Sequence, residues 1–208
     1  LGRRMVQVLR HPPRVRAVLG AHGGTWLNLL DARRAFADAF RPGPRGRRYR
    51  FRRVSHHVAH AAAACYTSPF DEAAFMVLDG TGEIEATSLG RFRRGEIVIE
   101  RQISYPHSLG YLFVALTHYL GFRPESDEYK LMSLASLGDD RYASLFERVL
   151  RLEPEGRYTV DLSYVDYHRG GRDPWFSPRF VRAVGPPRRA GDPIEARHAA
   201  LARALQAR

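Results

Sequence analysis

The sequence predicts an α/β domain in which a mixed sheet is flanked by helices. Short apolar runs such as residues 73–78 alternate with longer segments whose apolar residues recur at helical spacing, such as residues 108–120. The chain has 208 residues, which is long enough for one substantial core or two small ones. Its composition, 44% hydrophobic and 26% charged, is typical of a globular protein.

Composition excludes several classes of protein. No apolar run approaches the ~20 residues that a membrane-spanning helix requires. A single cysteine, Cys65, rules out an internal disulfide framework. We therefore expect a cytoplasmic protein without a membrane partner.

The positive charge is concentrated at the front of the chain. The net charge is +11, and residues 1–53 contain 14 arginines but only two aspartates, so the rest of the chain is close to neutral. Lys130 is the only lysine, which indicates that the arginine excess reflects coding bias as much as function. We do not expect nucleic acid to be the main partner.

The first 50 residues form a basic lead-in. Residues 1–22 fit two short amphipathic helices, residues 31–37 fit a capped helix, and residues 41–48 are a loop. The arginines of this loop, with Tyr49 and Phe51, suit contact with a phosphate backbone, although a solvated loop is the favoured interpretation.

The sheet is predicted from four segments. Residues 49–54 form a strand that leads into a helix over residues 56–66. Residues 73–78 are apolar throughout and predict a fully buried strand, with residues 85–92 and 97–103 as its antiparallel partners. This order predicts a mixed sheet.

The second half of the chain is mainly helical. Helices are predicted at residues 108–120, 126–138, 139–150, 177–184 and 193–208. We also predict a strand at residues 158–160 and a loop at residues 166–175. The chain begins without an initiator methionine and its last helical pattern lacks a capping residue, so we expect a piece of a longer protein.

Three side chains around the first strand are candidate metal ligands. His56 and His60 lie one helical turn apart on the same face, and Asp79 follows the strand at the edge where α/β sheets place ligands. Two imidazoles and one carboxylate suit a divalent transition metal, and with open positions they suit Fe(II). A histidine beside an apolar run is more commonly a hydrogen-bonded residue without a metal.

The turn after Asp79 is a candidate phosphate site. Gly80, Thr81 and Gly82 form a glycine-rich turn whose backbone N–H groups would be accessible to an anion. The same Gly-x-Gly pattern is common in hairpins, so the alternative is a purely structural turn.

Three further residues are candidates for ligand contact or proton transfer. His107 lies just before the predicted helix start at Ser108, where a histidine often serves only the helix terminus. Glu128 and Lys130 are two positions apart and cannot share a helix face, so both would line a site only if their segment began as irregular backbone. A solvated helix start is the equal alternative.

Five motifs in order give the chain a family resemblance. They occupy residues 56–61, 68–73, 79–83, 106–110 and 128–135. In this order they resemble the O-carbamoyltransferases of nodulation-factor and antibiotic biosynthesis. The resemblance covers about residues 50–208.

The resemblance implies a partial actin-like, sugar-kinase-like ATPase domain of the ribonuclease H-like type at residues 51–208, preceded by the basic lead-in. It is related to the subunit that transfers threonylcarbamoyl to transfer RNA. A C-terminal YrdC-like domain, absent here, makes carbamoyl-adenylate from ATP and carbamoyl phosphate. The domain in this chain then moves the carbamoyl group to an acceptor hydroxyl on a small molecule.

The resemblance also implies roles for individual residues. A metal, usually iron, is held by His56, His60 and Asp79 together with a carboxylate from a later region that this chain lacks. The missing regions also include the first phosphate hairpin and the adenosine-binding part, so this piece alone is expected to be incomplete as an enzyme.

Two other functions remain open from the residues. A binding module would use the arginine-rich residues 1–53 to hold nucleic acid or an acidic partner. A metallohydrolase would use the same metal ligands to cleave a simple ester or phosphate without ATP.

Overall fold

The computed structural model describes residues 52–169 and 175–208. The packing of the chain separates Leu1–Ser55 from His56–Arg208, and the fold below is that of the second unit. The predicted lead-in at residues 1–50 lies outside the described residues. The predicted strand at residues 49–54 is wrong over residues 52–54, which have no regular structure, and its earlier part is not described.

Among the described residues, the main sheet has three strands in the order β1-β2-β3. They are β1 (Glu72–Leu78), β2 (Glu85–Arg93) and β3 (Glu96–Ser104), and both pairs are antiparallel. The two predicted antiparallel partners of β1 are confirmed. Within the described residues the prediction of a mixed sheet is wrong, because short turns join consecutive strands and reverse the direction each time.

Strand β1 lies at an edge of this sheet, and the prediction that it is fully buried is wrong. Burial alternates along the strand: Val77 is buried, whereas the side chains on either side, Met76 and Leu78, are 62% and 49% exposed. Helix α1 (His56–Thr67) packs against all three strands. An apolar run shows that a strand can be buried, but the number of covered faces depends on neighbours elsewhere in the chain.

The remaining elements build a helical layer with a small hairpin. The helices confirm the predicted positions within a few residues and are α2 (Leu109–Tyr119), α3 (Glu128–Ala135), α4 (Ala143–Val149), α5 (Pro178–Val184) and α6 (Ala196–Gln206). The predicted strand at residues 158–160 is confirmed as β5 (Arg157–Val160). Its partner β4 (Leu150–Glu153) was not predicted, because Leu150 continues the apolar spacing of α4 although it begins a strand.

The hydrophobic core lies mainly among α2 to α6. Its largest fully buried side chains include Leu112, Leu116, Leu131, Phe146, Phe180 and Leu201. Phe180 stacks on Phe176 at 3.8 Å between ring centroids, which joins α5 to the segment before it. This core supports α2, whose first turn lies against the end of β1.

In the part of the chain that the structure describes, none of the helices has the length and apolar character needed to cross a bilayer.

Candidate metal centre

Helix α1 places two imidazoles against each other. His56 and His60 lie at positions i and i+4, and their ring centroids are 4.6 Å apart. Their Nε2 atoms are separated by 3.0 Å. The alanine-rich sequence after them favours the helix that creates this spacing.

The end of β1 brings a carboxylate to the same point. Asp79 follows the last residue of β1, and its Oδ2 lies 2.6 Å from His56 Nε2 and 3.7 Å from His60 Nε2. The ligand atoms of these three residues all lie within 4.8 Å of one another. The structure therefore brings together the three side chains that sequence spacing selected.

Hydrogen bonds alone do not account for both short contacts of His56 in this cluster. His56 Nε2 makes short contacts with both Asp79 Oδ2 and His60 Nε2, but a neutral imidazole nitrogen carries at most one proton. The single in-plane position of this nitrogen holds either a proton or a lone pair, so the nitrogen forms one well-directed hydrogen bond and its second contact is left without one. A cation, by contrast, interacts favourably with lone pairs from all three atoms.

The cluster also suits a metal in its spacing and accessibility. Bonds of about 2.1 Å place neighbouring ligands of an octahedral ion roughly 3 Å apart, which lies within the range of the three observed distances. The side chains of His56, His60 and Asp79 are 44%, 55% and 31% exposed, so solvent or a substrate has access to the same point. Two histidines and one carboxylate with open positions are the donor set of mononuclear Fe(II) sites.

The turn after Asp79 is held by hydrogen bonds within the chain. Gly80 N–H donates to Asp79 Oδ1 at 2.6 Å, and Gly82 N–H donates to Glu85 O at 2.8 Å. Thr81 is half-buried between them. The turn thus orients the carboxylate of Asp79, and the predicted phosphate contacts of these N–H groups stay a prediction.

Gly82 packs closely against α1. A Cβ atom at this position would lie 3.2 Å from His56 Cβ and 3.0 Å from His57 Cδ2. The absence of a side chain allows the turn to approach the beginning of the helix. This is a structural reason for the second glycine besides the predicted access to phosphate.

Sequence reasoning missed the residues that hold the turn from its other side. Ser108, the N-cap of α2, is buried and its Oγ lies 2.7 Å from Gly80 O and 3.0 Å from Tyr111 N, so it donates to the turn and accepts from the helix. A Cβ on Gly110 would lie 2.7 Å from the backbone of Asp79 and Gly80. The motif at residues 106–110 was the available signal, but His107 was its only candidate site residue and Ser108 was predicted only as a helix start.

His57 supports α1 from the sheet side. It is buried, and its Nδ1 lies 2.7 Å from Ser88 Oγ, which also accepts a hydrogen bond from Gln102 Nε2. Burial lowers the pKa of His57, and the nearby Asp79 carboxylate opposes that shift. His57 thus contacts the sheet and is not one of the three clustered side chains.

His107 has a structural contact in this fold. Its Nδ1 accepts a hydrogen bond from Val160 N at 3.1 Å, which links the beginning of α2 to β5. The side chain therefore joins the turn region to the hairpin. Its predicted role toward a ligand stays a prediction.

Glu128 and Lys130 both lie in α3, so the irregular backbone that would let them line one site is not present. Glu128 Oε1 accepts from Glu125 N at 2.7 Å, and Lys130 Nζ pairs with Asp127 Oδ1 at 3.0 Å. The hydrogen bond with Asp127 raises the pKa of Lys130. These contacts fit the helix-start interpretation, and the proposed roles of both residues in a reaction stay predictions.

Comparison with known proteins identifies the family. Residues 45–172 match the model described as Carbamoyltransferase N-terminus. The chain is 38% identical over 153 residues to Uncharacterized protein sll1178 of Synechocystis sp., covering 73% of this chain and 25% of that protein.

Two nodulation proteins are also similar. Nodulation protein NolNO of Sinorhizobium fredii is 30% identical over 154 residues, which are 74% of this chain and 21% of that protein. Nodulation protein NolO of Bradyrhizobium diazoefficiens is 32% identical over 156 residues, which are 74% of this chain and 26% of that protein. The matched region of the chain thus spans about a quarter of the length of these relatives. Because the family model matches more than half of the chain, the chain belongs to the carbamoyltransferase N-terminus family.

Proposed function

We propose that this chain is the metal-binding part of an enzyme that transfers a carbamoyl group from carbamoyl-adenylate to an acceptor hydroxyl. Family membership supports carbamoyl transfer. The observation that supports metal assistance is the convergence of His56 Nε2, His60 Nε2 and Asp79 Oδ2. We propose Fe(II) as the ion, because this donor set and its open side suit that metal.

The reaction that we propose is a substitution at the carbamoyl carbon. The acceptor oxygen forms a bond to that carbon, the bond from the carbon to the AMP phosphate oxygen breaks, and the hydroxyl proton passes to a base. When bound, the cation supplies Lewis acidity toward an oxygen of the carbamoyl-adenylate. His56, His60 and Asp79 hold the cation, and we propose that the turn at residues 80–82 lies beside the phosphate.

The remaining parts of this proposal come from the family resemblance. We propose that ATP and carbamoyl phosphate are converted to carbamoyl-adenylate by a YrdC-like domain, and that residues 51–208 belong to an actin-like ATPase domain. His107, Glu128 and Lys130 remain candidates for ligand contact or proton transfer. We place the reaction in the cytoplasm, which is consistent with the free and buried thiol of Cys65.

Metal binding by the 208-residue chain tests the proposal directly. We expect wild-type protein, loaded anaerobically with Fe(II), to retain one ion per chain after removal of free metal. Replacing His56, His60 or Asp79 with alanine should each weaken binding by more than about 100-fold, since even residues that only support a metal ligand cost about 10–100-fold.

A matched control removes an imidazole elsewhere in the fold. His118→Ala affects a partly buried ring in α2 that lies beside Trp175 and outside the cluster, so it should retain the ion. Unchanged metal stoichiometry in all three cluster variants would refute the metal assignment. Hydrolysis of a simple ester by metal-loaded protein without ATP would favour the metallohydrolase instead.

A further inference from the structure

A carboxylate from the turn lies at the beginning of α1. Both carboxylate oxygens of Glu83 are in hydrogen-bonding range of the backbone N–H of His56, with N to O distances of 3.3 and 3.2 Å. His56 is the first residue of α1, and Glu83 follows Asp79 on the same turn. The turn therefore contacts the helix through a second carboxylate besides that of Asp79.

The beginning of α1 requires such an acceptor. The first N–H groups of a helix have no partner within the helix, and the aligned backbone dipoles favour negative charge there. The first turn of α1 contains no acidic residue of its own. Glu83 supplies from a distant part of the chain what a capping side chain normally supplies locally.

His56 is consequently held at several points by one short turn. Its backbone N–H is bound by Glu83, its Nε2 contacts Asp79, and its Cβ packs against Gly82. A movement of α1 along or around its axis would stretch the contact to Glu83. It would also move both Nε2 atoms relative to Asp79 Oδ2.

We propose that Glu83 is a positioning residue for the metal cluster, because its hydrogen bond to the His56 N–H fixes the helix that carries both imidazoles against the turn that carries Asp79. This inference rests on the proposed metal-binding role of His56, His60 and Asp79. Glu83 acts through the backbone and is not itself a ligand.

The test measures Co(II) affinity of the 208-residue chain by titration, followed through the visible absorption of the bound ion. Glu83→Ala should lower the affinity about tenfold, at the lower end of the range for residues that support metal ligands. Glu83→Gln keeps an oxygen that accepts the same hydrogen bond and should restore most of the affinity. At saturation both variants should show the wild-type absorption spectrum, because the donor atoms are unchanged.

Glu72→Ala is the matched control, since it removes an exposed glutamate of β1 that pairs with Arg93 away from the turn. It should bind Co(II) as wild-type protein does.

Wild-type affinity in Glu83→Ala would overturn the inference while leaving the proposed function intact. An altered absorption spectrum in Glu83→Gln would indicate that Glu83 is itself a ligand. Equal losses of Co(II) affinity in Glu83→Gln and Glu83→Ala would indicate that Glu83 acts through its charge and not through the hydrogen bond. Either result would overturn the inference. Absence of Co(II) binding by the wild-type chain would overturn the inference and the proposed metal site together.

Discussion

Replacing Gly110 with alanine should destabilise the contact between α2 and the turn after β1. The added Cβ would lie 2.7 Å from the carbonyl carbon and oxygen of Asp79 and from Gly80 N, whereas ordinary contacts begin at 3.4 Å. The helix and the turn would have to separate by about 0.7 Å, and overpacking of this kind costs about 1–3 kcal/mol.

Two further effects of this substitution nearly cancel. Alanine favours a helix over glycine by about 1 kcal/mol. The separation would also weaken the hydrogen bond from Ser108 Oγ to Gly80 O, which is worth about 1 kcal/mol. The net loss in the free energy of unfolding is therefore about 1–3 kcal/mol.

Urea denaturation of the 208-residue chain, followed by circular dichroism, measures this loss. Gly80→Ala is the control for stability, because its Cβ would meet only the ring of Tyr111 at 3.7 Å, an ordinary contact. If Gly110→Ala proved as stable as Gly80→Ala and wild type, the close approach of α2 to the turn would be refuted.

The other predictions concern two core residues, Tyr119 and Phe180. Burial raises the pKa of Tyr119 to about 12, above the value of about 10 expected in the unfolded chain. The contribution of Tyr119 to stability is therefore complete below pH 10 and is lost as the pH rises through 12. In Tyr119→Phe, the urea midpoint should fall less steeply with pH over this interval. Identical slopes of the urea midpoint against pH in the variant and the wild type would contradict the assignment. At neutral pH the same variant should lose about 1 kcal/mol, since Tyr119 OH donates to Gly185 O. Phe180→Ala should lower the free energy of unfolding by about 3–5 kcal/mol, because Phe180 is fully buried and stacked on Phe176. The control Phe70→Ala, at a 61% exposed position, should change it by less than about 0.5 kcal/mol. Similar losses in the two variants would contradict the assigned core.

Local sequence signals predicted most elements of the described fold. Ser108 and Ser177 were identified as helix starts, and both side chains accept a hydrogen bond from the helix that follows. These predictions succeed because capping and periodicity depend on residues close in sequence. The same locality explains the error at Leu150, where helical spacing continued but pairing with β5 began a strand.

The candidate metal cluster was also predictable, because its three residues are related by spacing within one helix and the strand that follows. His56 and His60 are related by one helical turn, and Asp79 by its position at the end of the next strand. The residues that support the cluster were not predictable in this way. Glu83 is 27 positions from His56 in sequence, and Ser108 is 28 positions from Gly80. Their roles depend on how the turn folds back between α1 and α2.

The amino-acid sequence by itself determined the types of element, the family of the chain and the three candidate ligands, because these depend on spacing and on motif order. Only the tertiary structure decided that residues 52–54 do not form a strand, that β1 is partly exposed, and that Glu83, Ser108 and Gly110 surround the turn. The number of strands that join a sheet, the exposure of a face and the close approach of backbones arise from contacts between distant segments, and a linear pattern does not specify which segments meet.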